Sequence, residues 1–232
     1  MPLNAPGPAS PRDLLGLWRS NAAPWVDAVR GRRIESRRVA TDAAVVQAVL
    51  AAAPRRVLDV GCGEGWLSRC LAAQGVAVLG VDAIPALVES ARAASGADGA
   101  RFATARFDQL DDAAYAGFDL WVCNFSLFHP DDALHLLRAA AARLAPRGRL
   151  VIQTLHANAA QADADGWQPG SWGPCGGDFA EPIPWYFRSL ASWRALLAAA
   201  GFGAPQLREP AHPGTGAALS YLLVAACLRV DP

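Results

Sequence analysis

The chain has 232 residues, enough for one α/β domain with a large core, and its formal net charge is zero, which disfavours a nucleic-acid-binding surface. No apolar run is long enough to cross a bilayer, and the five cysteines have neither zinc-ligand spacing nor the pattern of a disulfide framework. We therefore expect a cytoplasmic protein without a metal, a nucleic-acid partner or a membrane segment, and the composition leaves its oligomeric state open.

The amino-terminal part of the chain has the spacing of helices. Apolar side chains recur at helical intervals over residues 14–50, with an interruption near residues 30–34. At residue 56 the pattern changes to a short apolar strand, which is followed by a glycine-rich turn and by helical spacing over residues 66–73. We expect residues 1–50 to form a helical cap and residues 51–232 to form the main domain.

Strands and helices alternate through the rest of the main domain. Apolar runs at residues 76–81, 101–105, 118–123 and 148–155 predict strands, and residues 85–94 and 131–144 have helical spacing. Such alternation is typical of a parallel sheet with helices on both faces, whose ligands bind at the carboxyl ends of the strands. Residues 206–208 and 219–229 predict a terminal hairpin, so the last strand of a seven-stranded, mostly parallel α/β sheet runs antiparallel.

A long segment between the fifth strand and the last helix interrupts this pattern. Residues 157–184 are rich in glycine, proline, aspartate and tryptophan, have no clear period and are too long for an ordinary turn. We interpret residues 156–188 as a lid or substrate-binding insertion whose aromatic side chains supply apolar walls. The helix that follows, residues 189–200, begins with Ser189 as its cap.

The first strand runs into the sequence Asp59-Val60-Gly61-Cys62-Gly63-Glu64-Gly65. Closely spaced glycines allow the backbone to pass a ligand where any Cβ atom would collide. A dinucleotide site would need a small third residue at the position of Trp66, so the pattern disfavours NAD. The acid before the first glycine, Asp59, suits the ammonium group, or its ordered waters, of a ligand with an amino-acid moiety.

A second acid follows at the end of the second strand. Asp82 lies seventeen positions beyond Gly65, where a carboxylate accepts hydrogen bonds from both ribose hydroxyls of an adenosine. A glycine-rich turn alone is often only a tight turn. Its combination with Asp82 and with the alternating strands favours a ligand that contains an adenosine.

Four segments together resemble the class I methyltransferases that depend on S-adenosylmethionine (SAM). They are residues 57–65 (VLDVGCGEG), 80–82 (GVD), 118–122 (FDLWV) and 144–151 (LAPRGRLV), in the order of the family. The resemblance covers about residues 55–155 and implies a Rossmann-like fold and SAM as the cofactor. Residues 184–193 and 209–213 also resemble segments of a bacterial group of methyltransferase-domain proteins, which are distantly similar to ubiquinone-pathway O-methyltransferases.

The resemblance also assigns residues to the cofactor. The glycine loop would surround the methionine part, Asp82 would hold the ribose, and Asn124 would offer backbone contacts at the methionine end. Phe107 and Asp108 would line the adenine, unless they are ordinary loop residues. Some relatives pair the SAM carboxylate with an arginine from a helix ahead of the core, and of Arg37 and Arg38 we assign Arg38. The full implied set is Arg38, Asp59, Gly61, Cys62, Gly63, Gly65, Asp82, Ala83, Phe107, Asp108, Asn124 and Phe125.

A general base is needed only if the methyl acceptor has to lose a proton. The candidates are His129, His156, Tyr186 and His212, in no order. His129 follows the fourth strand, and its alternative role is to cap the helix that begins near Pro130. Related ubiquinone-pathway O-methyltransferases carry metal-associated acids in this loop, whereas this chain has Phe125 and Phe128 there, so we predict no metal site.

The sequence therefore predicts a SAM-dependent methyltransferase whose acceptor is a small, partly apolar molecule methylated at oxygen or nitrogen. A SAM-binding protein without catalysis would keep the glycine loop and Asp82 but close the acceptor pocket. A methyltransferase that acts on a protein or an RNA is a further alternative, which the neutral charge disfavours. A nicotinamide-dependent oxidoreductase is disfavoured by Trp66.

Overall fold

A computed structural model of the chain describes residues 11–96 and 99–228. Its strands are β1 (Arg56–Val60), β2 (Ala77–Asp82), β3 (Arg101–Thr104), β4 (Phe118–Asn124), β5 (Leu144–Leu155), β6 (Gly166–Gln168), β7 (Trp185–Phe187), β8 (Gln206–Arg208) and β9 (Ser220–Ala226). Its α-helices are α1 (Pro11–Ser20), α2 (Ala22–Arg30), α3 (Asp42–Leu50), α4 (Trp66–Ala72), α5 (Pro85–Ala93), α6 (Pro130–Arg143), α7 (Ala157–Ala160) and α8 (Leu190–Ala199). A π-helical turn, Arg37–Thr41, leads into α3.

Seven of these strands form one central sheet in the order β3-β2-β1-β4-β5-β9-β8. Strands β1 to β5 are parallel to one another, whereas β9 is antiparallel to both β5 and β8. The apolar run of β4 is buried on both faces, as expected of a strand that helices cover on each side. The predicted Rossmann-like fold, mostly parallel with an antiparallel last strand, is confirmed.

Two apolar clusters fill the space between the sheet and its helices. One contains Trp121 and Trp193, which lie on β4 and α8, and it includes the buried side of α6. The other contains Val45, Leu67 and Val88, which lie on α3, α4 and α5. Trp193 therefore belongs to the core, and the loops at the carboxyl ends of β1, β2 and β4 are left free to form a site.

The amino-terminal helices divide between this core and the ligand-binding edge. α3 packs within the core, whereas side chains of α1 and α2 form a small third cluster with Ile84 and Leu87, just beyond β2. α2 ends before Gly31, at the interruption that the spacing predicts. In the part of the chain that the structure describes, no helix is both long enough and apolar enough to span a membrane.

The lid contains regular structure that the sequence pattern does not reveal. α7 is a single turn, and β6 pairs with β7 in antiparallel fashion to form a separate two-stranded sheet. Strands of three residues are too short to display a period of two, so the segment reads as irregular. β5 also begins earlier than predicted, at Leu144, while the predicted end of the last strand, Arg229, lies outside the described residues.

Candidate active site

A cavity of about 1200 Å³ lies at the carboxyl ends of β1, β2 and β4. Its lining comes from the glycine loop, the end of β2, the loop after β4, the helices α1 and α2, and the lid. Pockets that hold one small ligand usually have volumes of roughly 300–1000 Å³, so this cavity has room for two molecules side by side. The strand ends of an open α/β sheet are where the sequence predicts the site.

Gly61 is held in the tightest part of the glycine loop. Its φ is +73°, and a Cβ atom built on it would lie 2.3 Å from the Cβ atom of Ser126. The backbone N–H groups of Gly61 and Cys62 donate to the carbonyl of Val81, at 2.8 and 3.0 Å. Ser126 Oγ donates to the carbonyl of Val60 at 2.7 Å, which ties the loop after β4 to the loop after β1.

Asp82 lies on the cavity wall and organises the loops beside it. Its Oδ2 atom accepts the backbone N–H of Gly63 and its Oδ1 atom accepts that of Ile84, both at 2.9 Å. Burial raises the pKa of Asp82, and these backbone N–H groups act in the opposite direction. Each carboxylate oxygen has a second lone pair, so Asp82 can still accept hydrogen bonds from two vicinal hydroxyl groups of a ligand.

Asp59 lies beneath the glycine loop rather than on the cavity wall. Its side chain is 1% exposed and accepts a hydrogen bond from Ser68 Oγ at 2.6 Å. Burial raises the pKa of Asp59 to about 7, although the Ser68 hydrogen bond opposes the shift. Glu64 is equally buried but forms ion pairs with Arg30 and Arg69, both at 2.8 Å.

The raised pKa of Asp59 predicts a pH-dependent stability that an Asp59→Asn variant lacks. The folded state holds the Asp59 proton up to about pH 7, whereas the unfolded chain releases it near the ordinary aspartate pKa of 3.8. Relative to the variant, the wild type therefore loses free energy of unfolding as the pH rises from about 4 to about 7, by at most roughly 4 kcal/mol. Denaturant unfolding of both proteins across this range measures the difference. Parallel profiles would contradict the assignment.

Arg37, rather than the predicted Arg38, reaches the cavity. The Arg37 side chain is largely buried, its Nε atom donates to Asp42 Oδ1 at 2.9 Å, and its guanidinium carbon lies 4.6 Å from the ring centroid of Trp66. The structure pairs its Nη atoms with no other described residue. Arg38 is exposed and lies outside the cavity lining. The resemblance does not distinguish two adjacent arginines, and the structure favours Arg37 over the predicted Arg38 as the partner of a ligand carboxylate.

We expect Arg37→Gln to weaken the binding of S-adenosylhomocysteine (SAH) by roughly tenfold or more, because it removes a charged donor for the ligand's carboxylate. The matched change Arg38→Gln should leave the affinity within about twofold, since an exposed charge outside the cavity contributes little. Isothermal titration calorimetry of both variants with SAH measures this. Equal losses in the two variants would exclude Arg37 as the carboxylate partner, and thermal unfolding of each variant controls for loss of the Asp42 contact.

Nine of the twelve predicted cofactor residues line the cavity. They are Gly61, Cys62, Gly63, Asp82, Ala83, Phe107, Asp108, Asn124 and Phe125. Arg38, Asp59 and Gly65 do not: a Cβ atom on Gly65 would lie 2.7 Å from the ring of Phe102, so this glycine allows α4 to pack closely on the sheet. The carboxylate of Asp108 is paired with Arg106, which also lines the cavity.

The predicted histidines are held by backbone hydrogen bonds. The Nδ1 atoms of His129, His156 and His212 accept N–H groups from Asp131, Asn158 and Gly214, at 3.2, 3.0 and 3.1 Å respectively. A backbone N–H can only donate, so each neutral imidazole carries its proton on Nε2. These three side chains therefore present donors, which argues against their prediction as general bases.

The four predicted bases also differ in position. His129 and His212 line the cavity, and His129 caps α6 as its alternative role predicts. His156 and Tyr186 lie outside the cavity lining. His156 is paired through Nε2 with Glu209 Oε1 at 2.9 Å, and Tyr186 stands on β7 against Trp167. No group of three or more histidine, cysteine, aspartate or glutamate side chains within residues 11–96 and 99–228 is placed to hold a metal ion.

Three tryptophans form one wall of the cavity, and two of them, Trp18 and Trp25, lie outside the lid to which the sequence assigned such aromatic walls. Trp18, Trp25 and Trp172 contact one another with ring centroids 5.4–6.3 Å apart, and Trp172 stacks on Phe179 at 4.2 Å. We call Trp18, Trp25 and Trp172 the tryptophan wall. Trp18 lies on α1 and Trp25 on α2, and the contact of both with the lid depends on the tertiary fold.

Asn21 links the lid to the amino-terminal helices through two hydrogen bonds. This side chain is fully buried between α1 and α2. Its Oδ1 atom accepts the backbone N–H of Ala180 at 2.8 Å, and its Nδ2 atom donates to the carbonyl of Glu181 at 3.1 Å. Two hydrogen bonds therefore join residues 156–188 to the first two helices, and both segments line the cavity.

The groups on the cavity wall fit each part of SAM. Asp82 suits the ribose hydroxyls, Arg37 suits the carboxylate, and the apolar Ile84 and Leu87 suit the adenine. Asp59 lies buried beneath the loop and outside the cavity lining, so it acts on a ligand only through the position of the glycine loop. The residues on the wall therefore fit the ribose, carboxylate and adenine parts of SAM.

Comparisons with known proteins identify the family of the chain. The family description "Methyltransferase domain" matches residues 33–205, which is more than half of the chain. The ubiquinone biosynthesis O-methyltransferase of Xanthomonas axonopodis pv. citri (strain 306) is 40% identical over 114 residues, which are 48% of this chain and 47% of that protein. That of Xylella fastidiosa (strain M23) is 38% identical over 104 residues, or 44% and 42% of the two chains. The chain thus matches about half the length of these curated relatives.

Solved structures with the same fold are also SAM-dependent methyltransferases by their descriptions. The 1,6-didemethyltoxoflavin-N1-methyltransferase of Burkholderia thailandensis superposes with a TM-score of 0.68 at 22% identity, over 97% of this chain and 94% of that chain. A SAM-dependent methyltransferase from Mesorhizobium loti gives a TM-score of 0.63 at 22% identity, over 78% and 97% of the two chains. At 22% identity these structures establish the fold. Because the family domain matches more than half of the chain, the chain belongs to the methyltransferase-domain family, within the class I SAM-dependent methyltransferases.

Proposed function

We propose that this protein transfers the methyl group of SAM to a small, partly apolar acceptor, at oxygen or nitrogen. The observation that carries the proposal is one continuous cavity that joins the glycine loop and Asp82 to the tryptophan wall and the lid. Its volume exceeds that of a usual single-ligand pocket, and the part away from Asp82 has mainly apolar and aromatic walls. A cofactor and a small acceptor fit side by side in such a space.

Bound SAM supplies an activated methyl group on a sulfonium centre, so the protein mainly has to orient the acceptor and exclude water. The tryptophan wall and the lid cover the cavity, and Asn21 holds the two together. We propose that residues 156–188 act as a lid over the acceptor and that the helical cap, residues 1–50, contributes α1 and α2 to the same cover. Binding then requires this cover to open.

Proton removal from the acceptor receives little help from the histidines. Their Nδ1 atoms are occupied by backbone N–H groups, so a neutral imidazole would have to break this contact before it could accept a proton. The site therefore favours an acceptor atom with a lone pair available at neutral pH, such as an unprotonated ring nitrogen or an ionised phenol. This supports methylation at nitrogen or oxygen without a dedicated histidine base.

Two similar proteins support a small-molecule acceptor by their descriptions. The curated relatives are O-methyltransferases of ubiquinone biosynthesis, and the Burkholderia enzyme holds 1,6-didemethyltoxoflavin together with SAH. The second protein aligns over nearly the whole of this chain, including the cap and the lid. These acceptors belong to those proteins, and they guide the choice of compounds for this one.

A labelled-methyl assay tests the proposal. The purified protein is incubated with methyl-labelled SAM and, separately, with neutral aromatic amines, phenols and nitrogen heterocycles, with a peptide mixture, or with transfer RNA. We expect label in a small organic product only, and none with Asp82→Ala. Label in the peptides or the RNA would contradict the small-molecule acceptor. Tight SAH binding without transfer to any acceptor class would favour the alternative of a binding protein without catalysis.

A further inference from the structure

Gln153, at the carboxyl end of β5, has its carboxamide orientation fixed by the backbone. Its Nε2 atom lies 3.0 Å from the carbonyl oxygen of Thr41, in the π-helical turn, and the side chain is 1% exposed. A carbonyl oxygen can only accept, so the group that faces it must be the amide nitrogen. In this orientation Gln153 Oε1 is buried without a partner among the described residues. The opposite orientation is still less favourable, because it would place Gln153 Oε1 against the carbonyl oxygen of Thr41.

The orientation of Gln153 in turn fixes that of Asn124. The same Nε2 atom lies 2.9 Å from the Asn124 carboxamide, so the atom of Asn124 at that contact must be the acceptor, Oδ1. The other end of the Asn124 carboxamide is therefore Nδ2, a donor with two hydrogens. Within the described part of the chain, no acceptor pairs with Asn124 Nδ2.

Asn124 is the last residue of β4 and lies on the cavity wall. The next residue, Phe125, has a φ of +51°, which is unusual for a residue with a bulky side chain and marks a constrained turn. Phe125 and Phe128 also line the cavity beside it. Asn124 thus lines a space with aromatic walls, where a hydrogen bond is stronger than in water, and its Nδ2 atom is the polar atom of the side chain that the described residues leave unpaired.

We propose that Asn124 Nδ2 donates a hydrogen bond to the methyl acceptor, which is an uncharged aromatic compound with a carbonyl oxygen or an unprotonated ring nitrogen at this position. The inference rests on the proposed function and deepens it by naming the acceptor class. Asn124 is then a residue that binds the acceptor, and Gln153 is a positioning residue that keeps the donor turned toward the cavity. Naphthol-like acceptors without such an atom leave the donor unpaired, which is unfavourable.

A binding experiment with matched probes tests this assignment. Isothermal titration calorimetry, in excess SAH and a metal chelator, measures the affinity of the wild type for hydroxyquinolines and for naphthols, which have the same shape but lack the ring nitrogen. We expect the ratio of the naphthol Kd to the hydroxyquinoline Kd to be roughly five- to tenfold larger in the wild type than in Asn124→Asp. This variant keeps the size of the side chain and still accepts from Gln153, but presents oxygen to the cavity.

Two further variants separate the roles. Gln153→Leu should reduce the same ratio partially, because Asn124 keeps its donor but loses its fixed orientation. Gln47→Leu, the same change at an exposed glutamine of α3 outside the cavity lining, should leave the ratio unchanged. SAH affinity should stay within about threefold in Gln153→Leu, which changes no charge, since the proposal assigns the Asn124 side chain to the acceptor and not to the cofactor.

The outcomes distinguish a failure of the proposed function from a failure of the role assigned to Asn124. Failure of the wild type to bind SAH would overturn the proposed function itself. If SAH binds normally but the wild type does not prefer hydroxyquinolines, or binds neither probe, the assignment of Asn124 to a heteroaromatic acceptor is overturned while the methyltransferase remains. A loss of SAH affinity in Gln153→Leu as large as its loss of probe preference would overturn it as well, by placing the donor on the cofactor.

Discussion

Gly61→Ala should weaken SAH binding by roughly a hundredfold or more, while the protein remains folded. The added Cβ atom would lie 2.3 Å from the Cβ atom of Ser126, and Cβ atoms do not approach so closely, so the glycine loop or the loop after β4 has to move. Movement of the glycine loop disturbs the N–H group of Gly63 that donates to Asp82, and either movement displaces the wall that faces the ligand. A hydrogen bond to a charged group contributes roughly 1.5–3 kcal/mol, so its loss together with the displaced wall accounts for an effect of this size.

Gly75→Ala is the matched control for the backbone strain. Gly75 also has a positive φ, +82°, but a Cβ atom built there meets nothing within 4 Å. Placing alanine in a left-handed backbone conformation destabilises both variants by roughly 1 kcal/mol. Only Gly61→Ala also brings its Cβ atom into overlap with Ser126. Adding Ser126→Gly to Gly61→Ala removes the overlapping atom and should recover part of the affinity. Similar SAH affinity in Gly61→Ala and Gly75→Ala would contradict the role assigned to the loop.

Asp82→Ala should abolish measurable binding of both SAM and SAH. The substitution removes the oxygens that hold the N–H groups of Gly63 and Ile84, and it also removes the acceptors proposed for the ribose hydroxyls. Each hydrogen bond to a charged group contributes roughly 1.5–3 kcal/mol, so the combined loss corresponds to at least about a hundredfold in Kd. Calorimetric titration of the variant with SAH measures the effect directly.

The control for Asp82→Ala is the same change at Asp108, an acid on the same cavity wall whose partner is an arginine. Asp108 lines the cavity, but its carboxylate is exposed and paired with Arg106, so Asp108→Ala should cost about tenfold at most. Thermal unfolding of both variants shows whether the fold survives the loss of the Asp82 hydrogen bonds. If Asp108→Ala weakens SAH binding more than Asp82→Ala does, the ribose is held elsewhere and the assignment of Asp82 fails.

The parts of the fold that repeat a local pattern are predictable from the sequence. The strands β1 to β5 are apolar runs separated by helical spacing, and this alternation specifies a parallel sheet. The glycine loop and Asp82 are predictable because their chemistry depends on residues close in sequence, at the ends of adjacent strands. Their position at the cavity follows from the topology of the sheet.

The parts that depend on tertiary contacts are not predictable in this way. The tryptophan wall joins α1 and α2 to a lid residue about 150 positions away, as the Trp18 and Trp172 contact illustrates. Which of Arg37 and Arg38 lines the cavity depends on how the turn before α3 packs in the fold, and two adjacent arginines in a sequence do not reveal this. The histidines appear as free bases in the sequence, and only the backbone N–H groups at their Nδ1 atoms reveal that they present donors.

The most direct test of the central claim is a calorimetric titration of the wild-type protein with SAH and with NAD under the same conditions. A cavity built from Asp82, Arg37 and the glycine loop predicts saturable SAH binding at a stoichiometry of one and no detectable binding of NAD. Binding of NAD in preference to SAH, or no binding of SAH, would contradict the assignment of this site to SAM.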